Sequence, residues 1–104
     1  MLEIMQATTP TLMFRLAFEV DLELLNIVFT LTQGTIISIE KHNEDMRYED
    51  GLLQIDLTQE DTIKLKPGTA KIQLNITAND GSQRAGTYEE DVKILNNQVK
   101  RILR

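Results

Sequence analysis

Residues 52–76 read LLQIDLTQEDTIKLKPGTAKIQLNI, and their spacing decides the fold class. Leu53, Ile55 and Leu57 alternate with polar neighbours, and so do Ala70, Ile72, Leu74 and Ile76. A period of two places each set on one face of an extended strand and turns the intervening residues to water. Between the two runs lies the polar corner Thr58-Gln59-Glu60-Asp61-Thr62, and Pro67-Gly68 makes a turn after it. Thr58 is placed to cap a single helical turn, with Asp61 three residues later as the reciprocal acid of a capping box. Two half-buried strands joined over a capped corner indicate an antiparallel β domain with one covered face and one wet face.

The same alternation recurs on both sides. Leu2 and Ile4 suggest a short first strand ending near Pro10, and Leu12, Phe14, Leu16 and Phe18 mark a strand over 11–18. Residues 21–24 form a corner, after which Leu25, Ile27, Phe29 and Leu31 alternate until Gln33-Gly34. The β-branched run 35–41 then returns as a hairpin partner. Residues 42–51, HNEDMRYEDG, read as a polar, acidic loop with a short pairing around Met46–Tyr48. Asn79-Asp80-Gly81-Ser82 suits a tight turn, a further strand covers about 85–95, and Asn96-Asn97 is another turn signal. Residues 99–103 read as a last short strand or a terminal helical turn. The expected fold is therefore all-β, an immunoglobulin-like antiparallel β-sandwich of about seven to eight strands, with a small barrel as the alternative. Leu12, Phe14, Leu16, Ile27, Phe29, Leu31, Ile55, Leu57, Ile72, Leu74 and Val92 are its expected core.

At 104 residues the chain is expected to form a single domain (1–104) around one core. It has no cysteine, which excludes disulfides and thiolate metal sites and fits folding in a reducing compartment. The start MLEIMQATTP lacks the basic and apolar regions of a signal peptide, and no stretch approaches the ~18 apolar residues of a membrane helix. Net charge is −5; the four charged residues from Val92 onward are all basic, so the preceding 91 residues hold 7 basic against 16 acidic groups. An acidic body of that kind repels a phosphate backbone, so no nucleic-acid partner is expected.

The inventory for catalysis is thin. His42 is the single histidine and lies in the polar loop; Ser38 and Ser82 sit in no strand-turn-helix elbow. Glu44, Asp45, Glu49 and Asp50 could offer oxygen ligands to calcium, but their spacing is not that of an EF-hand loop, and Lys41 and Arg47 dilute the charge. Glu89, Glu90 and Asp91 form a second acidic group whose neighbours would point to opposite faces of a strand. For sugar stacking there is no tryptophan, only Tyr48 and Tyr88. Gly34, Gly51, Gly68, Gly81 and Gly86 are scattered singly and form no phosphate-cradling loop. The residues thus assign no catalytic, cofactor or metal position and no cofactor, and the chain is expected not to be an enzyme. The remaining surface is suited to protein contacts at strand edges, with Lys64, Lys66 and Lys71 expected to shield an edge. A small calcium- or carbohydrate-binding module is the alternative.

Residues 50–86, DGLLQIDLTQEDTIKLKPGTAKIQLNITANDGSQRAG, resemble small proteins encoded in the tail-gene regions of phages and prophages of Gram-positive bacteria. The shared pattern is the LTQEDT corner, a short charged strand, a Lys-Ile-Gln-Leu strand and an Asp-Gly turn followed by arginine. Upstream, residues 9–34, TPTLMFRLAFEVDLELLNIVFTLTQG, fit as strand, acidic-apolar corner and strand. The layout is similar to the immunoglobulin-like N-terminal domain of phage baseplate upper proteins. The resemblance implies a structural or accessory virion protein of a tail or baseplate, made in the bacterial cytoplasm and assembled there, with other tail or baseplate subunits or further copies of itself as partners. Contacts would then run through an edge strand or through the basic end at Lys100, Arg101 and Arg104, set against an acidic neighbouring subunit. No membrane partner is expected.

Overall fold

The computed structural model describes residues 2–16, 20–78 and 84–99, with backbone alone at 84–87. Its elements are β1 (Leu2–Met5), β2 (Thr11–Phe14), β3 (Leu25–Gln33), β4 (Ile36–Lys41), a 3-10 turn (Asn43–Asp45), β5 (Met46–Glu49), β6 (Leu52–Asp56), α1 (Gln59–Ile63), β7 (Gly68–Ala78) and β8 (Arg84–Leu95). One sheet has the order β1-β8-β7-β3-β4 and the other the order β2-β6-β5. Among the described residues every pairing is antiparallel except β1 with β8, which is parallel. The β2-β6-β5 sheet facing β8-β7-β3-β4 is the immunoglobulin arrangement of B-E-D against G-F-C-C′. The protein is an all-β sandwich; among the described residues its two sheets share no strand pairing that would close a barrel.

Alternation in the sequence becomes the inner face of the sandwich. Ile27, Phe29 and Leu31 of β3 lie beside Ile76, Leu74 and Ile72 of β7 in direct cross-strand register, and all six are buried. Leu12 and Phe14 of β2, Leu53 and Ile55 of β6, and Val92 and Ile94 of β8 complete the core. Phe14 joins the sheets: its ring lies 6.3 Å from that of Phe29 and meets Tyr88 edge-on at 5.6 Å. Such tilted and T-shaped pairs set the positive edge of one ring against the negative face of another.

Two expectations change at the rim. The alternation over 11–18 continues in sequence, but β2 ends at Phe14, which pairs with Leu53. β6 begins at Leu52, only one position beyond Leu53, so the strand has run out before the register reaches Leu16; Leu16 is half-buried at the rim of the core, and Phe18 lies outside the described residues. Residues 42–51 are not a plain loop. They form the 3-10 turn and β5, and β5 turns into β6 through Asp50-Gly51, with φ of 54° and 75°. Positive φ at both central residues is the type I′ hairpin, which Asp-Gly favours. The turn over 79–82 and the segment 99–103 fall, apart from Val99, outside the described residues.

The corner before β7 is built as its spacing indicates. Thr58 Oγ1 accepts from the Asp61 amide at 3.1 Å, and Asp61 Oδ2 accepts from the Thr58 amide at 2.9 Å. Asp61 also pairs with Lys41 Nζ at 2.8 Å. Burial pushes the Asp61 carboxyl up, but the hydrogen bonds from Lys41 and the Thr58 amide outweigh it, and the group is held below the ordinary aspartate value. Behind the cap, fully buried Thr62 accepts from the Thr8 amide at 2.9 Å and donates to the Thr8 carbonyl at 2.7 Å. Buried Gln6 donates to the Leu65 carbonyl at 2.6 Å and accepts from the Asn97 amide at 3.1 Å. The chain start, α1 and the end of β8 are thereby tied together at one end of the sandwich.

Phe29 is fully buried, so Phe29→Ala should destabilise the fold by roughly 3–5 kcal/mol. Thr58→Ala should cost about 1 kcal/mol by removing the cap. Urea unfolding of the two variants checks the order; equal losses would contradict this division between core and cap.

Candidate functional site

Strand edges are the surfaces that the pairing order leaves open. In the larger sheet the outer strands are β1 and β4, and in the smaller they are β2 and β5. β1 is short and covers β8 only along Val92–Leu95. From Arg84 to Asp91, β8 therefore pairs with β7 on one side and, among the described residues, with no strand on the other. On β4, Ile36 and Ile37 are 69% and 56% exposed, and Met13 of the β2 edge is 56% exposed. The isoleucines are visible in sequence as part of a β-branched run; only the pairing order shows that they sit on an edge.

The lysines expected to shield an edge lie elsewhere. Lys71 is on β7, the central strand of its sheet, opposite Asp91. Lys64 and Lys66 follow α1 and belong to no strand; the Lys66 amide donates to Gln33 Oε1 at 3.0 Å, and Gln33 Nε2 donates to the Lys66 carbonyl at 2.8 Å. These contacts hold the segment before β7 against the β3–β4 hairpin. The sequence reading failed here because an edge is defined by strand order, not by composition.

His42 is exposed and its Nε2 lies 2.9 Å from Glu40 Oε2. Its amide donates to Asp45 Oδ2 at 3.2 Å, which commits Asp45 to the 3-10 turn. Next to it stands a residue that sequence reasoning missed. Asn43 Oδ1 accepts from the Ile27 amide at 2.7 Å, and Nδ2 donates to the carbonyls of Leu22 at 3.0 Å and Leu25 at 2.6 Å. One amide side chain thus secures the start of β3 and the turn before it. No local pattern marks such a residue, because its partners are 16–21 positions away.

The acidic loop is divided rather than convergent. Asp45 caps, Asp50 occupies the hairpin turn, and Glu49 is exposed on β5. Among the described residues no three histidine, cysteine, aspartate or glutamate side chains are grouped to hold a metal. Asp56 is held below the ordinary aspartate value by the hydrogen bond from Thr11 Oγ1, 2.6 Å away, and by Arg47. This exposed cluster crosses all three strands β2, β6 and β5, since Arg47 also donates to Gln54 Oε1 at 2.9 Å.

Tyr48 and Tyr88 are not free stacking platforms: both are half-buried against the core. Tyr88 donates its hydroxyl to Glu90, and that bond, with burial and the carboxylate charge, pushes the phenol up to about 12. Glu89, Glu90 and Asp91 alternate faces as expected; Glu90 is half-buried on the side of Tyr88, while Glu89 and Asp91 are exposed. Lys100, Arg101 and Arg104 lie outside the described residues. Among the described residues no helix is long and apolar enough to cross a membrane.

No protein-family model and no curated protein matches the chain. A crystal structure of a "putative glycoside hydrolase" from Bacteroides vulgatus ATCC 8482 is similar in fold, with a TM-score of 0.53 at 7% sequence identity over 93% of this chain. The likeness spans 17% of that longer chain and concerns the fold alone.

Tyr48→Phe leaves Tyr88 as the only tyrosine, and its phenolate absorbance should then appear with a midpoint near 12. The raised value favours the neutral phenol in the fold. Its contribution to stability is complete below the unfolded value of ~10 and is lost as pH rises from there through about 12. A midpoint near 10 in the folded variant would contradict the Tyr88–Glu90 bond.

Proposed function

We propose that the chain is a non-catalytic structural or accessory domain of a phage or prophage tail or baseplate, working through protein–protein contacts. The observation that carries the contact reading is the edge of β8 from Arg84 to Asp91, an eight-residue backbone length that no strand covers among the described residues and that suits strand addition. Exposed Ile36 and Ile37 on β4 add apolar surface at the opposite edge of the same sheet. The assignment to a tail or baseplate is supported by the resemblance at residues 9–34 and 50–86. On this reading the partners are other tail or baseplate subunits or further copies of the chain, and assembly takes place in the bacterial cytoplasm before incorporation into the virion.

A second reading has one observation in its favour, the fold likeness to a segment of the longer glycoside-hydrolase-like chain. On that reading the sandwich is a calcium- or carbohydrate-binding module. The two differ in solution behaviour. A binding module gains RT ln(1 + [L]/Kd), about 2.7 kcal/mol at a hundredfold excess over Kd, when its ligand is added.

Mass spectrometry of purified induced particles, paired with a pull-down from the lysate, should find the chain in the particles or in a complex with tail proteins. Absence from both would remove the virion assignment. Its melting temperature should not move with calcium or oligosaccharides; a saturable rise would favour the module.

A further inference from the structure

We infer that the open edge of β8 receives an extended, lysine- or arginine-bearing strand of a partner protein; this deepens the protein-contact reading above and rests on it. A strand edge presents a row of backbone N–H and C=O groups that only another extended segment satisfies in series. Arg84–Asp91 gives roughly 26 Å of such edge at ~3.3 Å per residue.

The charge along that edge selects the occupant. Glu89, Glu90 and Asp91 follow one another, with Glu89 and Asp91 on the wet face and Glu90 on the side of Tyr88. A strand added there meets carboxylates on both of its faces. On the β7 side, Gln73 Nε2 reaches Glu89 Oε1 at 3.3 Å, and Lys71 stands opposite Asp91. With Arg84 at the far end of the edge and Lys71 opposite Asp91, the three carboxylates make the length Glu89–Asp91 acidic. The β1 pairing shows the rule operating within the chain: where the sign of β8 reverses at Lys93, the strand that docks brings Glu3 opposite it. Opposite charges across a ladder stabilise it, and like charges directly opposite destabilise it. A second copy of β8 added in parallel and in register would set acid against acid, so the same residues discourage that mode of self-pairing at this edge.

The test uses the full chain and a fluorescent peptide of alternating lysine and valine, followed by anisotropy. Two matched peptides serve as controls, one with glutamate for lysine and one N-methylated at alternate residues, which keeps the charge and removes edge hydrogen bonds. The lysine peptide should bind saturably, and each control should bind at least tenfold more weakly. A Glu89→Lys/Asp91→Lys double variant with an unchanged far-ultraviolet spectrum should weaken the lysine peptide at least tenfold. Equal binding of the N-methylated peptide, or an unaffected double variant, would overturn strand addition at β8. If the lysine peptide does not bind but the chain still co-purifies with particle proteins, the edge assignment falls and the assembly reading stands; if neither occurs, both fall.

Discussion

The constraint on which the structure depends is the cross-strand register of β3 and β7. Ile27, Phe29 and Leu31 meet Ile76, Leu74 and Ile72 pair by pair, so one face of the larger sheet is continuously apolar. That face is removed from water only when the β2-β6-β5 sheet closes over it with Leu12, Phe14, Leu53 and Ile55. A slip of one residue in either strand would turn the entire set outward, and this makes the register unambiguous. The contact of Phe14 with both Phe29 and Tyr88 then fixes how the smaller sheet sits against β3 and β8.

Polar side chains finish what the apolar face begins. Gln6, Thr62 and Asn43 each satisfy backbone groups where strands end and the ladders can no longer do so. Among the described residues no buried side-chain nitrogen or oxygen lacks a partner. These locks place the edges: Gln6 and Asn97 anchor the crossing that lets β1 run beside β8 for only four residues. A short β1 is the reason that, among the described residues, most of β8 has no strand on that side.

What was legible in the sequence was whatever repeats locally. The period of two marked the inner-face residues of β3, β6 and β7, and the Thr58–Asp61 spacing marked the cap. The Asp50-Gly51 hairpin was also written in the sequence, as an Asp-Gly pair between two short runs, but the surrounding acids gave it the look of a loop. Other features depend on partners far along the chain. Nothing near Leu2 announces a parallel pairing with Val92, nothing near Asn43 announces its bonds to Leu22, Leu25 and Ile27, and the central place of Lys71 follows only from strand order. The open edge had the same fate: its acids were readable, but its lack of a neighbour was not.

The surface follows from the core. A sandwich built on β3 and β7 buries the central strands and leaves unpaired backbone groups at its rims, where the proposed contacts would form. Amide-resolved hydrogen exchange of the isolated chain tests this most directly. The account predicts the slowest exchange in β3 and β7, and fast exchange at those amides of Tyr88–Asp91 that face away from β7. Protection of those edge-facing amides equal to that of β7 would contradict it, because the β8 edge would then already be covered in the free protein.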